Sequence, residues 1–452
     1  MTTSLATELR SRMRGRVVTA DDPDYDELRR VTAVVDTKPP LIARVKGADD
    51  VAAAIKFARD KDLEIALRSG GHDAAGRSTT ATGIVIDLRD MRAITIDESS
   101  HTVRVETGLT ALDVAQRLNE DGLAVGYGDT GSVGVGGLTL GGGIGYLSRK
   151  WGLTIDALLE VELVTAAGER LTVDGRSNPE LFWALRGGGG NFGVATAFRY
   201  APYPLKRVYG GMLLLPATAQ TVAQFVAMSA AAPDELTTIA NVMACPPMPF
   251  VDEAVVGTPV IMSELVYAGE ADAAEPVVTP FRKIATPLAD FIKPLAYHEI
   301  WPPEDPNYRP TAESRNMFMK RVDEATARRM LDLINASDSP MRGAQLRVHG
   351  GAIARVPSDA TAFAHRSAPI MVNVFCFYNG EADRPGRAAW VREMCATLDQ
   401  GEPGVYVNFL GDEGPDRLQA AYPGATLDRL RAVKKRLDPD NVFHRNNNIL
   451  PA

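Results

Sequence analysis

Three cysteines, Cys245, Cys376 and Cys395, are spread over 452 residues. They are too few and too scattered for a disulfide framework or a zinc site, and their scarcity fits a reducing compartment. Basic charge is not in excess either: Lys and Arg total 49 against 57 for Asp and Glu, a formal charge of −8. That balance gives no basic face for a nucleic-acid partner. No uninterrupted apolar run approaches the 18 or so residues of a membrane span, and MTTSLATELRSRMRGRVV at the start has no apolar core of signal-peptide length. A soluble cytoplasmic protein with no membrane partner is expected. Hydrophobic residues at 45% and charged residues at 23% are ordinary globular values, which removes disordered and fibrous classes.

Glycine is what the chain has in excess. It makes up 40 of 452 residues, about 9%, against an average of about 7%. Eleven of them fall in the 27 residues from Gly126 to Gly152, and five in the seven from Gly187 to Gly193. Glycine at such density brings backbone close to something.

The length predicts more than one domain. From Leu41 the pattern reads strand (Leu41 to Val45), helix (from Ala48, capped by Asp49 or Asp50), strand (Leu63 to Arg68) and strand (Gly83 to Leu88). A helix over Ala111 to Asn119, a hairpin from Leu159 to Val173 turning at Ala167-Gly168, and a strand from Val194 to Tyr200 follow. The glycine-dense segment between them reads as loop. Beyond Pro204 long strands, among them Gly210 to Ala217, Thr258 to Gly269, Gln345 to Gly351 and Ile370 to Tyr378, alternate with helices. The division expected is an N-terminal segment 1–35, a cofactor domain 36–205, a substrate domain 206–403 and a closing segment 404–452.

GGGNFG (Gly188 to Gly193) formally matches the dinucleotide fingerprint, but the helix precedes it and the strand follows, the reverse of the order a Rossmann site needs. A better case is RSGGHDAAGRS (Arg68 to Ser78) with GSVGVGGLTLGGGIGYLSRKWGL (Gly131 to Leu153). These are two loops able to wrap a diphosphate with backbone amides, and neither has a P-loop Lys-Ser/Thr ending. His72 sits in the first. From spacing alone it is more readily a structural histidine than a cofactor ligand.

RSGGH, GVGGLTLGGGIGYLSRKWGL, GGGGNFGV and the terminal DPDNVFHRNNNI occur in an order that resembles the berberine bridge enzyme-like branch of the vanillyl-alcohol-oxidase flavoproteins. The resemblance implies an α+β, two-domain PCMH-type FAD-binding fold with an inserted antiparallel-sheet substrate domain backed by helices. It implies FAD bonded through its 8α-methyl to His72, a tether that raises the flavin's potential and fixes its ring. Arg68, Ser69, Gly70, Gly71, Asp73 and Ser78 would wrap the diphosphate. Val133, Gly134, Gly137, Gly141, Gly142, Gly143 and Gly145 would line ring and ribityl chain, with Gly190, Gly193 and Val194 by the adenine and Asn446 and Asn448 returning near the flavin.

Where many relatives carry a second, cysteinyl link, this chain has Thr130, so a single covalent bond is expected. Val133 occupies the oxygen-access position with a small side chain, which the resemblance associates with O₂ as acceptor. Phe409 stands where many relatives have the catalytic tyrosine of a YxNY motif. Strand alternation puts Gln345, Arg347 and His349 on one face. His349, which titrates near neutrality, is therefore the candidate base, with a satisfied sheet histidine as the equal alternative. Tyr406 is the second candidate. The implied activity is oxidation of a small organic molecule, an alcohol first, with FAD passing electrons to O₂ to give H₂O₂. Amine oxidation or tailoring of a natural product, a dehydrogenase using another acceptor, and a flavin-binding protein without catalysis stay open as alternatives.

Overall fold

The computed structural model describes residues 2–303, 305 and 309–452. Near the N-terminus, Arg16–Val18, Leu41–Arg44, Ile84–Asp87 and Ile65–Arg68 form a four-stranded sheet in that spatial order. Its last three strands are parallel, in register Leu41 with Ile84 and Ile65 with Ile84. Near-continuous burial of LIAR, IVID and IALR is what a parallel sheet covered on both faces requires. The helix Ala48–Asp60 packs its Val51, Ala54, Ile55 and Ala58 against it. Its N-cap is Gly47 rather than an aspartate. Asp50 instead turns its carboxylate back to accept Arg14 N at 2.7 Å, Gly15 N at 2.9 Å and Lys46 N at 2.9 Å, tying the N-terminal segment down.

A second, five-stranded antiparallel sheet runs Ile94–Asp97, Thr102–Glu106, Val194–Tyr200, Leu158–Val164 and Arg170–Asp174. The last two form the expected hairpin, turning through Gly168 at φ +81°. The helix Ala111–Glu120 begins with a capping box between Thr110 and Asp113.

Within the glycine-dense stretch, Val135–Gly141 is a helix, not a loop. Its three glycines disfavour helix by about 1 kcal/mol each. Packing overrides that preference: a Cβ at Gly136 would strike Thr107 Oγ1 at 2.3 Å, and one at Gly141 would strike Asn408 Oδ1 at 1.9 Å.

The largest sheet has eight strands, ordered Ala289–Asp290, Val208–Pro216, Pro259–Tyr267, Leu236–Ala244, Arg342–Val348, Ile370–Phe377 and Ala312–Met319, with Lys293–Leu295 also on the Val208–Pro216 strand. All pairings are antiparallel. One face is covered by the helices Ala219–Ala231, Ala271–Arg282, Glu324–Ala336 and Arg384–Leu398 in a core built from Leu213, Phe225, Ile261, Met330, Val374 and Met394. Gln345 pairs with Asn373 and Asn241, and Arg347 with Ile239, which itself pairs with Glu264. Directly opposed residues share a face, so these side chains form the uncovered underside.

Glu264 is largely buried there, and burial pushes its carboxyl up to about 8. A carboxyl raised in the fold from an ordinary 4.5 gives stability that is complete below pH about 4.5 and is lost as pH rises through about 8. Glu264→Gln is expected to remove that loss, by up to a few kcal/mol. Its thermal midpoint relative to the parent should climb between pH 5 and pH 9, and parallel profiles would refute the assignment.

The chain then returns to the first two sheets. Ala425–Leu437 packs Leu430 and Val433 into their core. Lys434 and Asp438, both fully buried, pair at 2.7 Å. Lys434 Nζ also donates to Asn191 O at 2.9 Å and Phe443 O at 2.8 Å. Asn191 Oδ1 accepts Ile449 N at 3.0 Å.

Candidate active site

A cavity of about 540 Å³ lies between the two smaller sheets and the underside of the large one. Its floor is made of glycine loops. Gly70 and Gly134 touch: a Cβ on Gly70 would sit 2.3 Å from Gly134 N, so only glycine lets the loops meet. Ser69 Oγ donates to Thr107 O at 2.7 Å and accepts Gly136 N at 3.2 Å, stitching both loops to the second sheet. The wall holds Ser69, Gly70, Gly71, His72, Asp73 and Ser78 from the first loop, and Val133, Gly134 and Gly137 from the second. Gly190, Gly193, Val194 and Asn446 complete the far side. Asp73 braces its own loop, accepting Ala75 N and Arg77 N, each at 3.0 Å. His72 Nε2 lies 3.0 Å from Ser132 Oγ.

Other expected cofactor residues lie outside the wall. Arg68 is fully buried behind it, donating to Ser78 O at 3.2 Å and to Leu28 O at 2.5 Å, and burial lowers its guanidinium to about 10. Gly141, Gly142, Gly143 and Gly145 are off the wall too, and the sides where a side chain would stand are filled by protein. Added Cβ atoms there would meet Asn408, the rings of Phe363 and Tyr406, Thr154 Oγ1 and the Tyr127 carbonyl. Asn448 also lies off the wall, and its neighbour Asn447 takes that place, donating to Val407 O at 3.0 Å.

His349 is corrected as well. The strand ends at Val348, and the chain turns at Gly350 with φ +107°, so alternation does not carry His349 onto the cavity face. Its imidazole stands edge-on to Phe318, beside Arg149 and Ile353 and away from the cavity. Burial, and then the charge of Arg347, push it down to about 3, so it stays neutral as a packed histidine.

Tyr406 does stand in the wall, 2% exposed. Its backbone is held by Asn316, which accepts Tyr406 N at 2.6 Å and donates to Tyr406 O at 3.3 Å. Its phenol oxygen accepts Gly143 N and Asn408 Nδ2, both at 2.9 Å. Burial raises its pKa. A phenol whose two lone pairs are taken has only its proton left to offer.

The roof carries a group not read from the sequence. Arg347 Nη2 pairs with Asp129 at 2.6 Å, Nε donates to Gln345 Oε1 at 2.9 Å, and the guanidinium lies 4.7 Å from the centroid of the Phe409 ring. Asp129 lies 218 residues before Arg347, and no local pattern announces the pair. Phe409, lacking a hydroxyl, is an apolar platform for the cation. Ser314 and Asn373 complete the roof.

The wall fits a large polar cofactor. Gly137 and Gly190 would place an added Cβ against no protein atom within 4 Å, so their backbone is open to the cavity. Ser78 Oγ, Asn446 Oδ1 and Asn373 Oδ1 are buried in the wall without a partner among the described residues, positions that a bound molecule would satisfy.

Comparison with known proteins identifies the cofactor. Residues 39–174 match the FAD binding domain family, and 405–450 the berberine and berberine-like family. An FAD-linked oxidoreductase of Dictyostelium discoideum is 32% identical over 92% of this chain and 90% of its own length. The chain belongs to the berberine bridge enzyme-like FAD-linked oxidoreductases. (R)-6-hydroxynicotine oxidase of Paenarthrobacter nicotinovorans is 29% identical over 100% of this chain and 99% of its own. The crystal structure of 6-hydroxy-D-nicotine oxidase from Arthrobacter nicotinovorans superposes with a TM-score of 0.85 at 27% identity, covering 97% and 98% of the two chains. The fold is therefore the expected α+β arrangement of this family. Among the described residues no helix is long and apolar enough to cross a membrane.

Proposed function

We propose that the protein is an oxidase of a small, neutral organic alcohol, with FAD tethered to His72 and O₂ as electron acceptor, giving H₂O₂. The observation that carries this reading is the joining of His72, Val133 and a polar roof around one cavity. When bound, FAD supplies the acceptor for a hydride from the substrate carbon. The chain's own groups position the substrate. Tyr406 donates its phenol proton to the substrate oxygen, while Asn373 Oδ1 accepts from a second polar group. Asp129 supplies a wall carboxylate toward which the hydroxyl proton can leave, and Arg347 fixes its orientation.

The nicotine-oxidising relative raises an amine as the other substrate. The roof favours the alcohol: Asp129 and Arg347 neutralise each other, and Ser314, Asn373 and Gln345 present uncharged hydroxyl and amide groups. Among the described residues of the roof, a cationic amine would meet no uncompensated carboxylate.

The acceptor is tested without knowing the substrate. Protein bleached by dithionite is expected to regain its yellow colour in air within seconds, and colour absent for minutes would sink the oxidase reading. Val133 lines the cavity, and the longer side chain of Val133→Leu narrows the approach of O₂. Recolouring should slow about a hundredfold, equivalent to about 2.7 kcal/mol in the barrier.

A further inference from the structure

We propose that Ser132 is the positioning and proton-relay residue for attachment of the cofactor to His72; the inference rests on the reading that His72 is the tether. Contact between Gly70 and Gly134 brings the two loops together so closely that residues 60 positions apart meet, Ser132 Oγ standing 3.0 Å from His72 Nε2. His72 lines the cavity, and so do Thr130 and Val133 on either side of Ser132, which itself stands outside the wall. The hydroxyl therefore engages the imidazole from outside the space that the cofactor fills.

The contact is open to either tautomer, and the proposed attachment uses the one protonated on Nε2. With Nε2–H donating to Ser132 Oγ, the lone pair is on Nδ1 and the imidazole is nucleophilic there. The bond formed joins His72 Nδ1 to the flavin 8α-carbon, while one 8α C–H bond and the Nε2–H bond break. The 8α-carbon is oxidised, and its two electrons pass into the flavin ring and then to dioxygen, which takes up the two protons and leaves as H₂O₂. Ser132 receives the Nε2 proton as it hands its own to solvent, which reaches this half-buried residue. Afterwards its hydroxyl turns to donate to the now unprotonated Nε2. A hydroxyl suits both moments because it accepts and donates by rotating, which a methyl group cannot do.

The test reads attachment, not turnover. Parent, Ser132→Ala and Ser132→Thr proteins are produced under riboflavin limitation, incubated with FAD in air, and sampled over time for flavin fluorescence that stays with the chain after denaturing electrophoresis. All three are expected to bind FAD in the native state, a check on folding read from the visible spectrum. Ser132→Ala should attach it about a hundredfold more slowly, the range for loss of a positioned proton carrier. Ser132→Thr, which keeps the hydroxyl, should attach it within a few-fold of the parent. Attachment by Ser132→Ala at the parental rate overturns the proposal, and so does a Ser132→Thr protein as slow as Ser132→Ala. A parent that never retains fluorescence after denaturation fails at the earlier step, the His72 tether, and takes this inference with it.

Discussion

Acid-precipitated parent protein is expected to stay yellow, whereas His72→Ala should give a colourless pellet with its FAD in the supernatant. This is the largest effect anticipated, a complete change from bound to released flavin. It follows from the place of His72 in the wall and from Thr130 in the position where a second, cysteinyl attachment would need a sulfur. The native variant should still bind FAD, because the open backbone at Gly137 and Gly190 and the buried polar atoms of Ser78 and Asn446 are untouched. If the parent itself released its flavin on precipitation, the tether would be disproved. If His72→Ala retained it, another residue would be the point of attachment.

The second large effect concerns stability. Lys434→Met leaves the Asp438 carboxyl fully buried without its cation, its remaining side-chain contacts among the described residues being the amides of Val442 and Phe443 at 2.7 and 2.9 Å. Breaking one side of a buried pair costs about 3–5 kcal/mol. The midpoint of thermal unfolding should fall by roughly 3–5 °C. The lysine also holds Asn191 and Phe443, so the tail that brings Asn446 and Asn447 to the cavity should loosen, and flavin fluorescence should rise before the main transition. Replacing both partners, as Lys434→Met with Asp438→Leu, should recover much of the loss, since no charge is then stranded. A single variant melting within a degree of the parent would show that the pair contributes little.

What the sequence disclosed and what it hid have physical causes. The loop around His72 was legible because glycines at fixed places next to a strand end are needed wherever backbone must approach a ligand. Gly141, Gly142, Gly143 and Gly145, which the resemblance set along ring and ribityl chain, lie off the cavity wall. Glycine reports that something comes near without saying what, and there the neighbours are Asn408, Tyr406, Thr154 and the Tyr127 backbone. The strand Val194–Tyr200 was readable from its apolar run. Ala312–Met319 was not, because Ser314 and Asn316 serve the roof and Tyr406 and so interrupt the apolar alternation. His349 was misplaced by extending a period-two pattern one residue beyond the last residue of the strand. Alternation placed Arg347 on the cavity face, but Asp129 had no local signature as its partner, since the pairing exists only once the large sheet lies over the glycine loops.

The return of the chain to the cavity also sets an order of events at the ribosome. Residues 69–194 supply the floor, but Tyr406, Asn446 and Asn447 enter the wall from the far side of the eight-stranded sheet in sequence. A nascent chain that has emerged only through Val194 has the glycine loops without the walls that close on them. Capture of FAD is therefore expected to be a late step of biogenesis, following synthesis of the eight-stranded sheet, and stalled or truncated chains lacking the tail are expected to compete poorly for a scarce cofactor.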